Sequence, residues 1–420
     1  MTRKPSRRVA KPRTTPRRKR PTQNSLVTFQ GRPVKTILWK GVKCAAVEGV
    51  VITRRRQARP ARALEFERLA SIDDRSLRAL GLTVVSETQA LAERVMSLGA
   101  GLLRPEEPWF EPVLIDRISR IPSDPLVNEQ WGFEMVNAGV VFDGNVDLSG
   151  VLLAILDSGI PIEASSLSHQ DLSHERFNLG RDVVNGDADP ADDHGHGTHV
   201  LGLAAAIADN QGGVAGVWQG PVLVIKTFDS QGAGSSVTFA DALVAAVDFA
   251  QAKGLRLVVN YSGGGADSDT KRVAVEHARK NGALIIAAAG NSFGSAIEFP
   301  AAYSASHDNV IAVGAVKRDR TLADFCNVGP EMNVCAPGED IISTLPNYFV
   351  TLNSEGKQTK FDRLSGTSQA APLVAALAAH IWARRPNLTA ALVRQRILDT
   401  ADPVEGGQLG SGIINFQRAL

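Results

Sequence analysis

The chain has little cysteine, few aromatics and no apolar run long enough to cross a bilayer. Its three cysteines, Cys44, Cys326 and Cys335, are an odd number without metal-ligand spacing. They are expected to be free and mostly buried. Cys326 and Cys335 could pair, but a core of this size needs no disulfide scaffold. Aromatics make up only 5% of the residues, whereas glycine and alanine are plentiful, which suits tight turns and helices packed closely on a sheet. Acid is missing from the start of the chain. Met1–Arg20 carries ten Lys and Arg and no Asp or Glu, so the remainder holds a net charge of about −8. That opening run has no apolar period and reads as a disordered basic tail over residues 1–24. It would pass for the charged region of a secretory leader, but no apolar core follows it, and the compartment stays open.

What is present divides in two. Between residues 25 and 120 the pattern reads as strand Gly41–Arg54, helix Leu64–Leu80, strand Leu82–Ser86, helix Gln89–Leu98 and strand Trp109–Ile115. This β-α-β-α-β order fits a small α+β, ferredoxin-like domain. A polar, proline-marked linker, Arg117–Pro125, ends it. From Val151 onward, in a domain spanning residues 121–420, strands and helices alternate. Strands are expected at 151–156, 222–227, 255–260, 283–289 and 310–316, and helices at 200–208, 239–252, 271–280 and 370–382. The alternation predicts an α/β fold with a doubly wound parallel sheet, whose chemistry gathers at the carboxyl ends of the strands.

Reactive side chains occur at those ends. Asp157 closes the first strand in Ala-Ile-Leu-Asp-Ser-Gly, and His196 lies in Asp-Asp-His-Gly-His-Gly-Thr-His-Val. Ser368 follows the Gly366-Thr367 turn in Leu-Ser-Gly-Thr-Ser-Gln-Ala-Ala-Pro and opens an apolar helix, where the helix dipole favours negative charge. Pro372 is expected within the first turn of that helix, where no N–H is needed. A serine hydroxyl needs a neutral imidazole to take its proton, and that imidazole needs a carboxylate to fix its tautomer. Asp157, His196 and Ser368 supply these parts. Asn291, at the mouth of the strand ending Ala-Ala-Ala-Gly-Asn, would donate to a developing oxyanion. His199 reads as a packed helix residue and His194 as an exposed loop residue.

In combination and order, Asp-Ser-Gly, His-Gly-Thr-His-Val and Gly-Thr-Ser-x-Ala-x-Pro resemble the subtilisin-like serine peptidases, the subtilases, from about Pro122 to Leu420. The resemblance implies a serine endopeptidase acting through an acyl-enzyme. In it, Asp157 orients, His196 is base and acid, Ser368 is the nucleophile, and Asn291 with the Ser368 N–H forms the oxyanion hole. It also implies that Ser262, Gly263 and Gly264 form the edge that pairs with extended substrate. Gly263 stands where a larger apolar residue is common, so that side of the pocket is expected to be open. Gln369 stands where the family often has methionine. Glu298 falls at the position of the pocket floor, where a carboxylate would favour Lys or Arg on the acyl side of the cut. The other possibility is that Glu298 points to solvent.

The family further implies that the smaller domain is an inhibitory propeptide that assists folding. The cut would then fall near Arg117 to Ser123, with Arg120 as the acyl-side residue if Glu298 lies in the pocket, and the alternative is a permanent accessory domain. It implies no cofactor for the chemistry but a structural calcium held by Asp171, Asn210 and the carbonyls of Ala208, Gly212 and Val214. Expected partners are protein or peptide substrates and the chain's own propeptide, with the protein a monomer. Subtilases are mostly secreted, whereas no signal peptide is visible in this sequence, so the protein is expected to stay inside the cell, to leave by another route, or to start elsewhere than here. A reading from another class is a nucleic-acid or acidic-surface binder that uses the basic tail and keeps the peptidase fold as scaffold.

Overall fold

The computed structural model describes residues 121–143, 146–404 and 408–420 in full, together with the backbone of five strands before residue 115. Two compact units divide the chain, Met1–Ile118 and Ser119–Leu420. In the first unit, β1 (Thr28–Phe29), β2 (Arg32–Trp39), β3 (Val42–Arg54) and β4 (Leu82–Ser86) pair in that order, and β5 (Phe110–Leu114) pairs with β3, all antiparallel. Three of these strands match the expected ones, and β1 and β2 add a hairpin-like pair that sequence reading did not anticipate. The expected helices at 64–80 and 89–98, the basic tail and the linker before residue 121 lie outside the described residues.

The second unit is built on a seven-stranded sheet. Its strands are β6 (Val151–Asp157), β9 (Phe177–Asp182), β10 (Val222–Lys226), β11 (Arg256–Tyr261), β12 (Leu284–Ala288), β13 (Val310–Val316) and β14 (Val334–Pro337). Between β6 and β9 lies the small hairpin β7 (Ile162–Glu163) and β8 (Ser166–Leu167). The sheet order is β14-β13-β12-β11-β6-β10-β9, parallel throughout. Alternation along β6 shows why both faces must be covered: Val151, Leu153 and Ile155 join one apolar cluster, while Leu152, Ala154 and Leu156 join the other. On the first side pack α1 (His196–Ala205), α4 (Thr367–Arg384) and α5 (Ala390–Thr400); on the second, α2 (Ser236–Lys253) and α3 (Asp269–Lys280).

Local chemistry sets the helix ends. Ser235 and Thr238 form a capping box at the start of α2, and Gly254 ends it with φ 66°. Helix α4 is buried from Thr367 to Trp382, which accounts for its alanine-rich, all-round apolar sequence. Numbering from Thr367, Pro372 is the sixth helical residue, beyond the first turn where it was expected. Its missing N–H leaves the Ser368 carbonyl without an intrahelical donor, and the Ser262 hydroxyl donates to that carbonyl at 3.0 Å instead. Sequence order thereby fixes a contact inside the site. Cys326 and Cys335 are free and buried, as expected.

Candidate active site

The site lies where the strand order reverses, at the carboxyl ends of β6 and β11. Asp157, the last residue of β6, is fully buried, and its Oδ1 meets His196 Nδ1 at 2.7 Å. His196 is the first residue of α1. Two glycines make the approach possible. Gly195 carries φ 105°, and a Cβ on Gly197 would lie 2.9 Å or less from the Ser158 and Gly159 backbone. Burial opposes a charge on His196, but the Asp157 carboxylate outweighs it, and the pKa is raised above the usual histidine value.

A second carboxylate, overlooked in the sequence, organises this loop. Asp192 is 1% exposed and accepts from the N–H groups of His194 (3.1 Å), Gly195 (2.8 Å) and Thr198 (2.9 Å). The hydroxyls of Ser158 and Thr198 donate to it as well. Burial works against its charge, yet these donors hold its pKa below the ordinary carboxylate value. No capping rule marks it, because the residue before α1 is Gly195 and Asp192 reaches the Thr198 N–H from further back in the loop. Lys226, 1% exposed, donates to the Ser158 carbonyl at 2.9 Å and pairs with Asp193, tying the end of β6 to the same loop.

Ser368 is the second residue of α4, among N–H groups that have no partner within the helix. Its hydroxyl donates to the Ser262 carbonyl at 3.1 Å, and among the described residues no hydrogen bond joins it to His196. A change of χ1 moves such a hydroxyl between staggered positions. Ser262 therefore meets Ser368 twice, accepting from its hydroxyl and donating to its carbonyl, while Asn260 Nδ2 donates to Ser262 Oγ at 2.9 Å. Asn291 Oδ1 accepts from Thr367 N at 2.8 Å and from Thr367 Oγ1 at 3.0 Å. With its oxygen committed, the amide has its Nδ2 donor left over beside Gly366. Thr367 went unnoticed in the sequence because its task is to aim another side chain.

A cleft of about 660 Å³ adjoins these groups, lined by Asp157, His194, His196 and Phe228 and by residues 231–236 and 261–268. Gly263 does not leave one side open. The Phe228 ring fills the space beside it, and a Cβ on Gly263 would collide with that ring. Phe228 sits on the neighbouring loop, so the sequence of the edge alone could not show this. Glu298 is half-buried and is not among the residues lining the cleft. Its N–H bonds to Ala289 O and the next N–H, of Phe299, to Gly265 O, bridging the two walls. The carboxylate lies against Gly264 and, on the other side, near Gly290. Lys271, 7% exposed, donates to Ala266 O and Phe299 O beside it.

The neighbouring histidines differ. His199 is buried against Asp362 O and Gln369, and burial pushes its pKa down to about 3. His194 is half-buried and lines the cleft, not the exposed loop residue the sequence suggested; its carbonyl accepts from Leu352 N, and the turn at Gly232 lies against its ring. Away from the cleft, Asp171 is buried, accepting from Asn210 Nδ2 (3.1 Å) and Val214 N (3.0 Å). Asp124, 2% exposed, accepts from the N–H groups of Asp209 and Asn210. The carbonyls of Ala208, Gly212 and Val214 accept no hydrogen bond among the described residues.

A doubly wound sheet with an Asp–His pair and a helix-opening serine at its carboxyl edge has the plan of a serine hydrolase. Comparison with known proteins gives the family. The model of the Subtilase family matches residues 148–416. Subtilisin DY of Bacillus licheniformis is 36% identical over 292 residues, covering 69% of this chain and 97% of its own. Subtilisin Savinase of Lederbergia lenta is 32% identical over 291 residues, with coverage of 69% and 97%. A solved protease of Pseudoalteromonas arctica superposes with TM-score 0.60 at 26% identity, covering 71% of this chain and 98% of that one. The chain belongs to the subtilase family and is a subtilisin-like serine endopeptidase.

Proposed function

We propose that peptide bonds are cut by Ser368, His196 and Asp157 acting together, with a preference for Lys or Arg on the acyl side. The carrying observation is the 2.7 Å bond from His196 Nδ1 to the fully buried Asp157 carboxylate, which fixes the tautomer and leaves Nε2 as the base. An extended substrate adds as a strand along Ser262–Gly264. Ser368 Oγ attacks the carbonyl carbon and its proton passes to His196 Nε2. The oxyanion takes hydrogen bonds from Asn291 Nδ2 and the Ser368 N–H, a donor set in which one member is worth about 3–4 kcal/mol. The imidazolium then gives its proton to the departing amine. Water repeats the sequence on the acyl-enzyme, returning the proton to Ser368.

Glu298, between Gly264 and Gly290, supports the cationic preference. The N-terminal unit serves as propeptide in this reading, released by a cut between Arg117 and Ser123. Calcium would be held by Asp171, Asp124, Asn210 and the three unpaired carbonyls, where burial and the neighbouring Asp124 charge raise the Asp171 pKa in the absence of a cation. Its contribution would be stability alone.

Purified full-length chain and Ser368→Ala decide the matter. The wild type is expected to hydrolyse casein, react with a fluorophosphonate and lose mass corresponding to a cut in the linker, while Ser368→Ala does none of these. Casein hydrolysis by Ser368→Ala overturns the assignment. Arg peptides should be cut faster than Leu or Phe peptides, and Glu298→Gln should abolish the difference. Equal rates in the wild type overturn the preference.

A further inference from the structure

His194 is held from several directions. Its Nδ1 accepts the backbone N–H of His196 at 3.3 Å, and its own N–H bonds to Asp192. Its carbonyl accepts from Leu352 N at 3.1 Å. The segment carrying Leu352 is itself tied down: Tyr348 Oη donates to Asp192 O at 2.8 Å, Thr351 N to Asp193 O at 3.2 Å, and Thr351 Oγ1 to Ser230 O at 2.7 Å. Opposite, Nε2 faces the turn at Gly232, where a Cβ would lie 3.1 Å away. The two imidazoles stand edge to face with centroids 6.2 Å apart. The ring is held between the start of α1 and the Gly232 turn, and it lines the cleft.

We propose that His194 is a positioning residue for His196 and works only as the neutral imidazole, its Nδ1 lone pair holding the first backbone N–H of α1. The inference rests on the reading of His196 as general base. A proton on Nδ1 turns an acceptor into a donor facing a donor, so the contact becomes repulsive. Charges facing the ring come from every neighbouring piece of chain. Asp192 on its own loop, Asp157 at the end of β6, Glu355 on the Leu352 segment and Asp229 on the Gly232 turn favour a proton, while burial and His196 oppose it. Burial, with His196 adding to it, prevails, and His194 has a lowered pKa. The two histidines therefore titrate apart: His196 takes its proton first on acidification, and His194 takes the second and unseats it.

The test compares His194→Asn, whose Oδ1 can accept the same N–H without titrating, with His194→Leu, which has bulk and no acceptor. Rates are normalised to sites titrated with a fluorophosphonate, so misfolded protein does not count. At pH 8, His194→Leu should lose about tenfold in kcat with KM little changed, and His194→Asn should recover most of that loss. On the acid side, wild-type log kcat/KM should steepen from a one-proton to a two-proton slope, while His194→Asn keeps a one-proton slope. Equal kcat for the two variants, or the same acid limb in wild type and His194→Asn, overturns the proposal. His196→Ala is the control. Activity surviving in it sinks the general-base reading itself, whereas an inactive His196→Ala beside unaltered His194 variants sinks only this inference.

Discussion

Removing the Ser262 hydroxyl tests the contact that Pro372 makes necessary. Ser262→Ala strands the Ser368 carbonyl, which has no N–H at residue 372 to turn to, and takes an acceptor from buried Asn260 Nδ2. An unsatisfied buried polar group costs about 1–3 kcal/mol, so the substitution should cost about 2–4 kcal/mol for the pair. Pro372→Ala restores an N–H able to reach the Ser368 carbonyl within the helix. In that background the cost of Ser262→Ala should shrink by about 1–1.5 kcal/mol, the share that remains belonging to Asn260. Urea unfolding of the four chains of the cycle, each carrying Ser368→Ala to prevent autolysis, reads the coupling energy. Additivity within about 0.4 kcal/mol would refute the claim that the hydroxyl substitutes for the proline's missing donor.

Three further outcomes follow from the site and core. Because Asp157 raises the His196 pKa, kcat/KM should climb with a midpoint above about 6.5, and Asp157→Asn should lower both that midpoint and, by about ten-thousand-fold, kcat. In stability terms that raised pKa means the Asp157–His196 pair contributes fully below the unfolded histidine pKa and fades as pH rises through the folded one. The buried His199 and His380, pushed down to about 3 by burial, act in the opposite sense. Their contribution is present above about pH 6.5 and drains away on acidification, about 2 kcal/mol each by pH 5. Urea midpoints of Ser368→Ala chains at pH 8 and pH 5, with and without His380→Gln, check this, and an unchanged pH dependence in the variant would contradict it. Gly263→Val should cost about 1–3 kcal/mol through collision with the Phe228 ring. Phe228→Ala in the same chain should relieve most of it, and simple addition of the two costs would show that the ring does not fill that space.

Much of the scaffold could be read from the chain because buried parallel strands are continuous apolar runs. Val151–Asp157 and Val310–Val316 lie within a residue of where they were expected. Edge strands were missed for the complementary reason. β9, Phe177–Asp182, alternates buried and exposed residues and carries Gly180, whereas β14 spans only Val334–Pro337. The helix Ala390–Thr400 also escaped, although its buried residues Ala390, Val393 and Ile397 keep a helical spacing. At the site, motifs located Asp157, His196, Ser368 and Asn291, each at the end of a strand or the start of a helix. They did not reveal Asp192, whose donors His194, Gly195 and Thr198 lie close by, nor Lys226, Thr367 or Phe228, whose partners are distant in the chain. His194 was misjudged on the same ground. Its neighbours include Leu352 and the turn at Gly232, both far along the chain, and local spacing says nothing of contacts at that range.

The double contact between Ser262 and Ser368 joins residues 106 positions apart, and the Asn291–Thr367 bond spans 76. Such closures form late, because the entropy of bringing distant segments together is paid before the contacts return anything. Residues of β6, α1, β10, β11 and β12 precede α4 in the chain, so Asp157, His196 and Ser262–Gly264 are synthesised before Ser368. With Ser368 as the proposed nucleophile, competence to cut requires α4 to be made and docked into the sheet. On that assignment a partly made chain could not yet cut itself or its neighbours, and the appearance of activity would report the completion of α4.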